Sequence, residues 1–296
     1  MNYLILLGVL SLFIFGQKVR TNWVSGIKST LIKLMVAGAD RRLFSGFTQS
    51  SFSWIRNPAS WVRVFNWTGV AAGINGLGGV GGGTLISRRH VLFSAHVPYP
   101  NTPTGPVIPF EIFFVNANSR TFTYKVTNVQ QVGSTDIAIG TLDRDADASL
   151  NVFKVLPDNW AQYIANKVIP PTATYIAMGL NLSTQAFVLP VLYTGQDRKV
   201  STADVTNIVG GLASVSIPAF EPARAFGDGV RGGDSGNPIF AMLGDELVLL
   251  GGWYTGASGD ATVGAFPWVI TQRGAIEKII GQKLRVADMS GLDRIA

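Results

Sequence analysis

An all-β fold, sandwich or barrel, is what this sequence predicts, and two observations carry it. Its apolar runs are short: Val91-Leu-Phe93, Ile112-Phe-Phe-Val115 and Leu247-Val-Leu-Leu250. They are set between Gly, Pro, Asn and Asp, and glycine alone numbers 34. Short strands bounded by turn formers leave that pattern. The 296 residues are 47% hydrophobic and 14% charged. That is the balance of a globular chain, long enough for one large domain or two small ones.

Composition also removes several chemistries. There is no cysteine, so disulfides, thiolate metal sites and a cysteine nucleophile are excluded. Histidine occurs twice, at His90 and His96, which makes a His-rich zinc site unexpected. No metal or organic cofactor is expected. The net charge of +6 is local: up to residue 63 eight basic residues face Asp40 alone, which is +7 and leaves −1 for the rest. The main body therefore lacks the basic face expected of a nucleic-acid-binding domain.

Along the chain, residues 1–17 are expected to form a hydrophobic signal or membrane-anchor segment. Residues 3–15 are almost wholly apolar, shorter than the roughly 20 residues of a membrane span, and basic residues follow rather than precede them. A helix buried in the body is the alternative. Residues 18–60 read as a basic amphipathic segment and a linker. Trp23, Ile27, Leu31, Leu34 and Met35 recur at helical spacing, which suits a helix on a membrane surface or one packed on the body. Residues 45–60, Ser-rich with Gly46, Asn57 and Pro58, read as the linker. Residues 61–296 carry the strand pattern and end in a predicted helix over Gln272–Lys283, with Ile276, Ile279 and Ile280 on one side.

The chemistry-bearing segment is Arg231-Gly-Gly-Asp-Ser-Gly-Asn-Pro238. A serine hydroxyl needs a base to take its proton and donors for the oxyanion that forms. Ser235 is the candidate nucleophile, with the N–H groups of Gly233 and Ser235 as the oxyanion hole. A glycine-rich turn carrying an exposed serine is the plainer alternative. For the base, His96 stands where the run Val91-Leu-Phe93 ends in small residues, at a strand end that can face a cleft. His90 follows two arginines and reads as a surface turn. Asp136 leads directly into an apolar strand and fits the orienting carboxylate. Asp143, Asp145 and Asp147 lie in a polar loop.

Taken together, Gly81-Gly-Gly-Thr-Leu-Ile-Ser87, Ser94-Ala-His96, Asp136-Ile-Ala-Ile139 and Gly233-Asp-Ser-Gly-Asn-Pro238 resemble the trypsin-like serine proteases. The family's patterns are C-G-G-S-L-I, A-A-H-C, D-I-A-L and G-D-S-G-G-P, in the same order. The resemblance covers about residues 61–283 and implies two six-stranded antiparallel barrels, chymotrypsin-like. It implies His96, Asp136 and Ser235 as a catalytic triad and a polypeptide as substrate. It places the floor of the specificity pocket at Gly229, beside Asp228, with walls from Gly252, Trp253, Tyr254 and Gly264.

The departures are specific. Gly81 and Val97 replace cysteines, and Asn237 replaces a glycine. No I-V-G-G start is visible. In the family the freed N-terminus pairs with the aspartate before the nucleophile, here Asp234. Gly76-Leu-Gly-Gly-Val-Gly81 satisfies G-x-G-x-x-G, but a β-rich Thr-Leu-Ile follows where a dinucleotide site needs a helix. The expected function is a membrane-associated or secreted serine endopeptidase. The alternative is a catalytically silent member of the same fold, binding or assembling at a membrane.

Overall fold

A computed structural model describes residues 22–38, 40–75, 81–97, 101–102, 105–106, 108–170, 184–256 and 263–295. The apolar 3–15 stretch, and with it the 1–17 segment, lies outside them. So does most of the Gly76–Gly81 run. Among the described residues no helix is long and apolar enough to cross a membrane.

The fold is mostly β. Strands β1 (Phe44–Thr48) and β2 (Ser53–Arg56) form a hairpin. The first sheet uses β3 (Gly73–Ile74), β4 (Thr84–Leu85), β5 (His90–Ser94), β8 (Phe110–Val115), β9 (Thr121–Gln131) and β10 (Ile137–Leu142). A two-stranded ribbon, β6 (Asn101–Thr102) with β7 (Gly105–Pro106), stands apart. The second sheet contains β11 (Lys154–Val155), β12 (Asn166–Ile169), β13 (Thr184–Thr194), β14 (Val200–Val209), β15 (Leu212–Ser216), β16 (Pro238–Leu243), β17 (Glu246–Gly252), β18 (Thr255–Gly256) and β19 (Val263–Pro267). Helices α1 (Trp23–Ala37) and α2 (Arg273–Ile280) flank the strands.

Both sheets curl into half-barrels, an arrangement compatible with a chymotrypsin-like fold. The expectation is two six-stranded antiparallel barrels, and this differs in two ways. The first sheet has six strands in the order β3-β8-β9-β10-β5-β4 and is an open half-barrel, its two-residue end strands linked by a bridge from Val70, before β3, to Thr84 in β4. The second has nine strands and is mixed, since β11 runs parallel to β17. One core cluster lies within the first sheet, and the main one joins the second sheet to Leu92, Ile137 and Ile139 of the first. Phe93, Phe114, Leu85 and Val126 anchor the former, and Phe240, Phe266, Trp268 and Val248 the main one.

The linker reading of residues 45–60 is corrected. The Ser-rich composition conceals three aromatics, two of which fasten the hairpin to the first sheet. Trp54 stacks on Phe47 at 4.6 Å, and Trp54 and Phe52 meet Phe113 at 5.4 and 4.8 Å. Arg56 is partly buried beside them and donates to the carbonyls of Asn116, Trp67 and Val115. That burial pushes its guanidinium pKa down to about 10.

Helix α1 settles against the second sheet. Asn22 caps it by accepting the Ser25 N–H at 3.2 Å. Trp23, Ile27, Leu31 and Met35, four residues apart, form one stripe inside the main core. The Trp23 indole donates to the Met242 carbonyl at 2.8 Å. Of the two readings of this helix, packing on the body is the one observed. Its apolar face is therefore not offered to a membrane, and residues 23–38 and 40–60 pack with the two sheets.

Candidate active site

Strand registers bring the site residues together from distant parts of the chain. Antiparallel pairing sets Ser94, the last residue of β5, opposite Ile137, the first of β10. His96 lies two residues beyond the one, and Asp136 one residue before the other. On the second sheet Pro238 pairs with Gly252, so the loop entering β16 runs beside the residues leaving β17. Backbone bonds join that loop to the first sheet. Gly81 N donates to Gly233 O and Gly82 N to Ser235 O, both at 2.9 Å.

His96, Asp136 and Ser235 form a hydrogen-bonded row. His96 Nδ1 lies 2.8 Å from Asp136 Oδ2, and Nε2 lies 2.7 Å from Ser235 Oγ. An ionised carboxylate only accepts, so Nδ1 must carry the proton there. Nε2 is then the acceptor facing the Ser235 hydroxyl. Asp136 is held on both oxygens: His96 N–H donates to Oδ1 at 2.7 Å, and Ser94 Oγ to Oδ2 at 2.7 Å. The Asp136 side chain is 11% exposed, while His96 keeps 41% at the cleft. A cavity of about 510 Å³ lies on the Asp136 side of the His96 ring, lined by His96, Asp136, Gln131, Gly211, Leu212 and Tyr254 among others; Ser235 is not part of its lining.

The loop carrying Ser235 needs its glycines. Gly233 and Gly236 have φ of +97° and +74°, a region that penalises a Cβ. A Cβ on Gly236 would also stand 2.6 Å from Gly82 O. Among the described residues no acceptor takes the N–H of Gly233 or Ser235. Two neighbouring donors are thus left for an incoming oxygen, which is the chemical requirement of an oxyanion site.

The expected pocket residues fare unevenly. Tyr254 is exposed and meets the His96 ring edge-on at 5.6 Å. Gly252 is buried at the end of β17, against the backbone of Gly236. The Trp253 ring turns into the core against Tyr193 and Phe266. Only its backbone serves the site: its carbonyl accepts from Gly236 N and lies 2.7 Å from Ser94 Oγ, where it competes with Asp136 for the single hydroxyl hydrogen. Gly264 pairs with Val215 and Gly256 inside the sheet. Gly229 and Asp228 lie on the partly buried loop before Ser235. The Asp228 carboxylate is already engaged by Arg41 at 2.7 Å, Lys199 at 3.2 Å and Ser201 Oγ at 3.0 Å.

Sequence reasoning passed over four contributors. Ser94 had a signal, as a small polar residue two before His96 on a strand end. Arg41, Arg198 and Lys199 had none, because their partners lie far along the chain. Among the described residues no cluster of three metal-ligating side chains comes together. His90, the other histidine, sits at the start of β5 against Ser87 Oγ at 2.8 Å. Burial first, then the Arg89 charge, lower its pKa.

Asp228 gives a pH test of this arrangement. Burial raises its pKa, but Arg41, Ser201 and Lys199 together outweigh that and leave it below the ordinary 3.8. A lowered folded pKa adds stability that is fully present above 3.8 and is lost as pH falls through the folded value. Wild type is therefore expected to melt higher than Arg41→Gln at neutral pH, and the gap should shrink as pH drops below 3.8. Thermal melts across that range measure it.

A scan against protein-family models finds no match for the chain, and a search of curated proteins finds none.

Proposed function

We propose that this chain is a serine endopeptidase with a trypsin-like mechanism. The observation that carries the reading is the row from a largely buried carboxylate, held on both oxygens, through His96 to Ser235, in a loop whose Gly233 and Ser235 N–H groups meet no acceptor among the described residues. In the proposed reaction Ser235 Oγ attacks the carbonyl carbon of a peptide bond while His96 Nε2 takes the hydroxyl proton. The carbonyl oxygen becomes an oxyanion and is received by the N–H groups of Gly233 and Ser235. Asp136 holds the imidazole in the right tautomer and stabilises its cation. His96 then passes the proton to the departing amine, leaving an acyl group on Ser235. Water, deprotonated by His96, removes it by the reverse sequence. No cofactor enters these steps.

Membrane attachment through the apolar 3–15 stretch, followed by basic residues that attract anionic lipid, belongs to the same proposal. A peptide library incubated with wild type and with Ser235→Ala tests the activity. Cleavage by the first alone supports it, and cleavage by neither refutes it.

The same library tests specificity. A lysine or arginine entering the pocket would need a carboxylate to pair with. Gly229 has no side chain, and Asp228 already holds two cations. Tyr254 narrows the approach beside His96. Cleavage is expected after Ala, Val, Leu or similar residues. Dominant cleavage after Lys or Arg would show that Asp228 gives up its partners to the substrate.

A further inference from the structure

Arg198 is an unusual residue in this molecule. It sits in the turn between β13 and β14 with φ of +56°, a left-handed conformation disfavoured for arginine. It is 6% exposed. Among the described residues no carboxylate lies within ion-pair distance of its guanidinium. Burial therefore pushes its pKa down to about 10, and the charges of Asp234 and Asp197 offset only part of that. A buried cation without a direct counter-ion and on a strained backbone is costly on both counts. Something must be gained where its donors point.

They point at both sheets and at the Ser235 loop. Nε donates to Ala72 O at 3.1 Å and Nη2 to Gly81 O at 3.3 Å, both on the first-sheet side. Nη1 donates to Gly195 O at 3.3 Å and to Asn237 Oδ1. Asn237, the departure from the family's glycine, returns its Nδ2 to Asp234 O at 3.0 Å and accepts a bond from Thr194 Oγ1. Gly81, held by Arg198 through its carbonyl, is the residue whose N–H fixes Gly233 O. Gln196, in the same turn, donates its N–H to Asp234 Oδ1 at 2.8 Å, while Arg231 N–H takes Oδ2 at 2.8 Å.

We propose that Arg198, acting through Asn237 and Gly81, is the positioning residue that holds the Gly233–Asn237 loop in its reactive conformation within the uncleaved chain. The inference rests on the peptidase reading. The aspartate before the nucleophile has both oxygens occupied by backbone donors of this body, so no freed chain end has to reach it. The loop is clamped instead between a turn of the second sheet and the segments that lead into β3 and β4 of the first. Arg198 touches no substrate atom; it acts by fixing where the Gly233 and Ser235 donors stand.

The test uses full-length, uncleaved protein: wild type, Arg198→Met, Arg198→Lys and Asn237→Ala. The folded fraction is taken from near-ultraviolet circular dichroism. The rate of Ser235 labelling by a fluorophosphonate, with kcat and KM on a cleaved peptide, is then expressed per folded molecule. Arg198→Met is expected to label and turn over on the order of 10²-fold more slowly, the size seen when an oxyanion donor is lost. KM should hold within a few-fold, and the pH profile should not move, because the His96–Asp136 pair is untouched. Arg198→Lys should recover part of the rate, and Asn237→Ala should fall in the same direction by less. A purely structural residue would lower the melting temperature and leave reactivity per folded molecule unchanged, which overturns the proposal. Wild type that labels only after chain cleavage also overturns it. If Arg198→Met fails to fold, Asn237→Ala decides alone, and wild-type reactivity there is a negative result. If wild-type Ser235 never labels, the peptidase reading itself falls and takes this role with it. If wild type labels and every folded variant labels equally, only the role of Arg198 falls.

Discussion

Replacing Ser235 by alanine is expected to lower peptide hydrolysis by about 10⁴-fold or more, and His96→Ala should cost a similar factor. The double variant should be little worse than either single one. The reason is geometric: with Nε2 at 2.7 Å from Oγ, the two side chains perform one act, and removing either ends it. His90→Ala is the control. His90 is the first residue of β5, His96 lies two residues past its last, and His90 is tied to Ser87 in a local turn. Steady-state kinetics on the purified proteins measure this. Inactivation by His90→Ala with activity retained in His96→Ala would reverse the assignment of the base.

The second large effect concerns the N-terminal residues. Removing residues 1–60 is expected to leave the rest unable to fold. Helix α1 contributes Trp23, Ile27, Leu31 and Met35 to the main core, with Leu31 fully buried. Truncating a buried tryptophan alone typically costs about 3–5 kcal/mol, a large part of the about 5–15 kcal/mol that holds a domain together. The deletion would also remove Arg41, whose carbonyl accepts from Val200 N–H at 2.8 Å and whose guanidinium holds Asp228. Removing only residues 1–21 leaves all of these contacts in place and should give a folded protein. Denaturant melts of the two truncations distinguish the cases. A cooperative transition in the shorter protein would mean that α1 is an appendage.

How much of this was legible in the sequence depends on how far apart the interacting residues lie. The candidate row could be read because each member sits in a local pattern. A serine between glycines, a histidine at a strand end and an aspartate before Ile137-Ala-Ile139 are all visible within a few residues. The β character was equally local. The role of residues 23–60 was not, since a helical stripe looks the same whether a sheet or a lipid surface covers it. The hairpin Phe44–Arg56 was hidden by its serines, although Trp54 and Phe52 pack it on Phe113. Arg198 looks like a surface turn residue in Gly195-Gln-Asp-Arg-Lys199. Its burial depends on Ala72, Gly81 and Asn237, each 39 or more positions away, the nearest of them Asn237. Trp253 was expected to line a wall. Its place in the core depends on Tyr193 and Phe266, which no local pattern connects to it.

The central claim is that His96 activates Ser235, and covalent labelling by a fluorophosphonate tests it most directly, since the probe reacts with an activated serine and needs no knowledge of the substrate. Full-length folded protein should be labelled at Ser235, with the adduct located by peptide mass, and both Ser235→Ala and His96→Ala should remain unlabelled. Folded wild type that does not react, or labelling that persists undiminished in His96→Ala, would contradict the account.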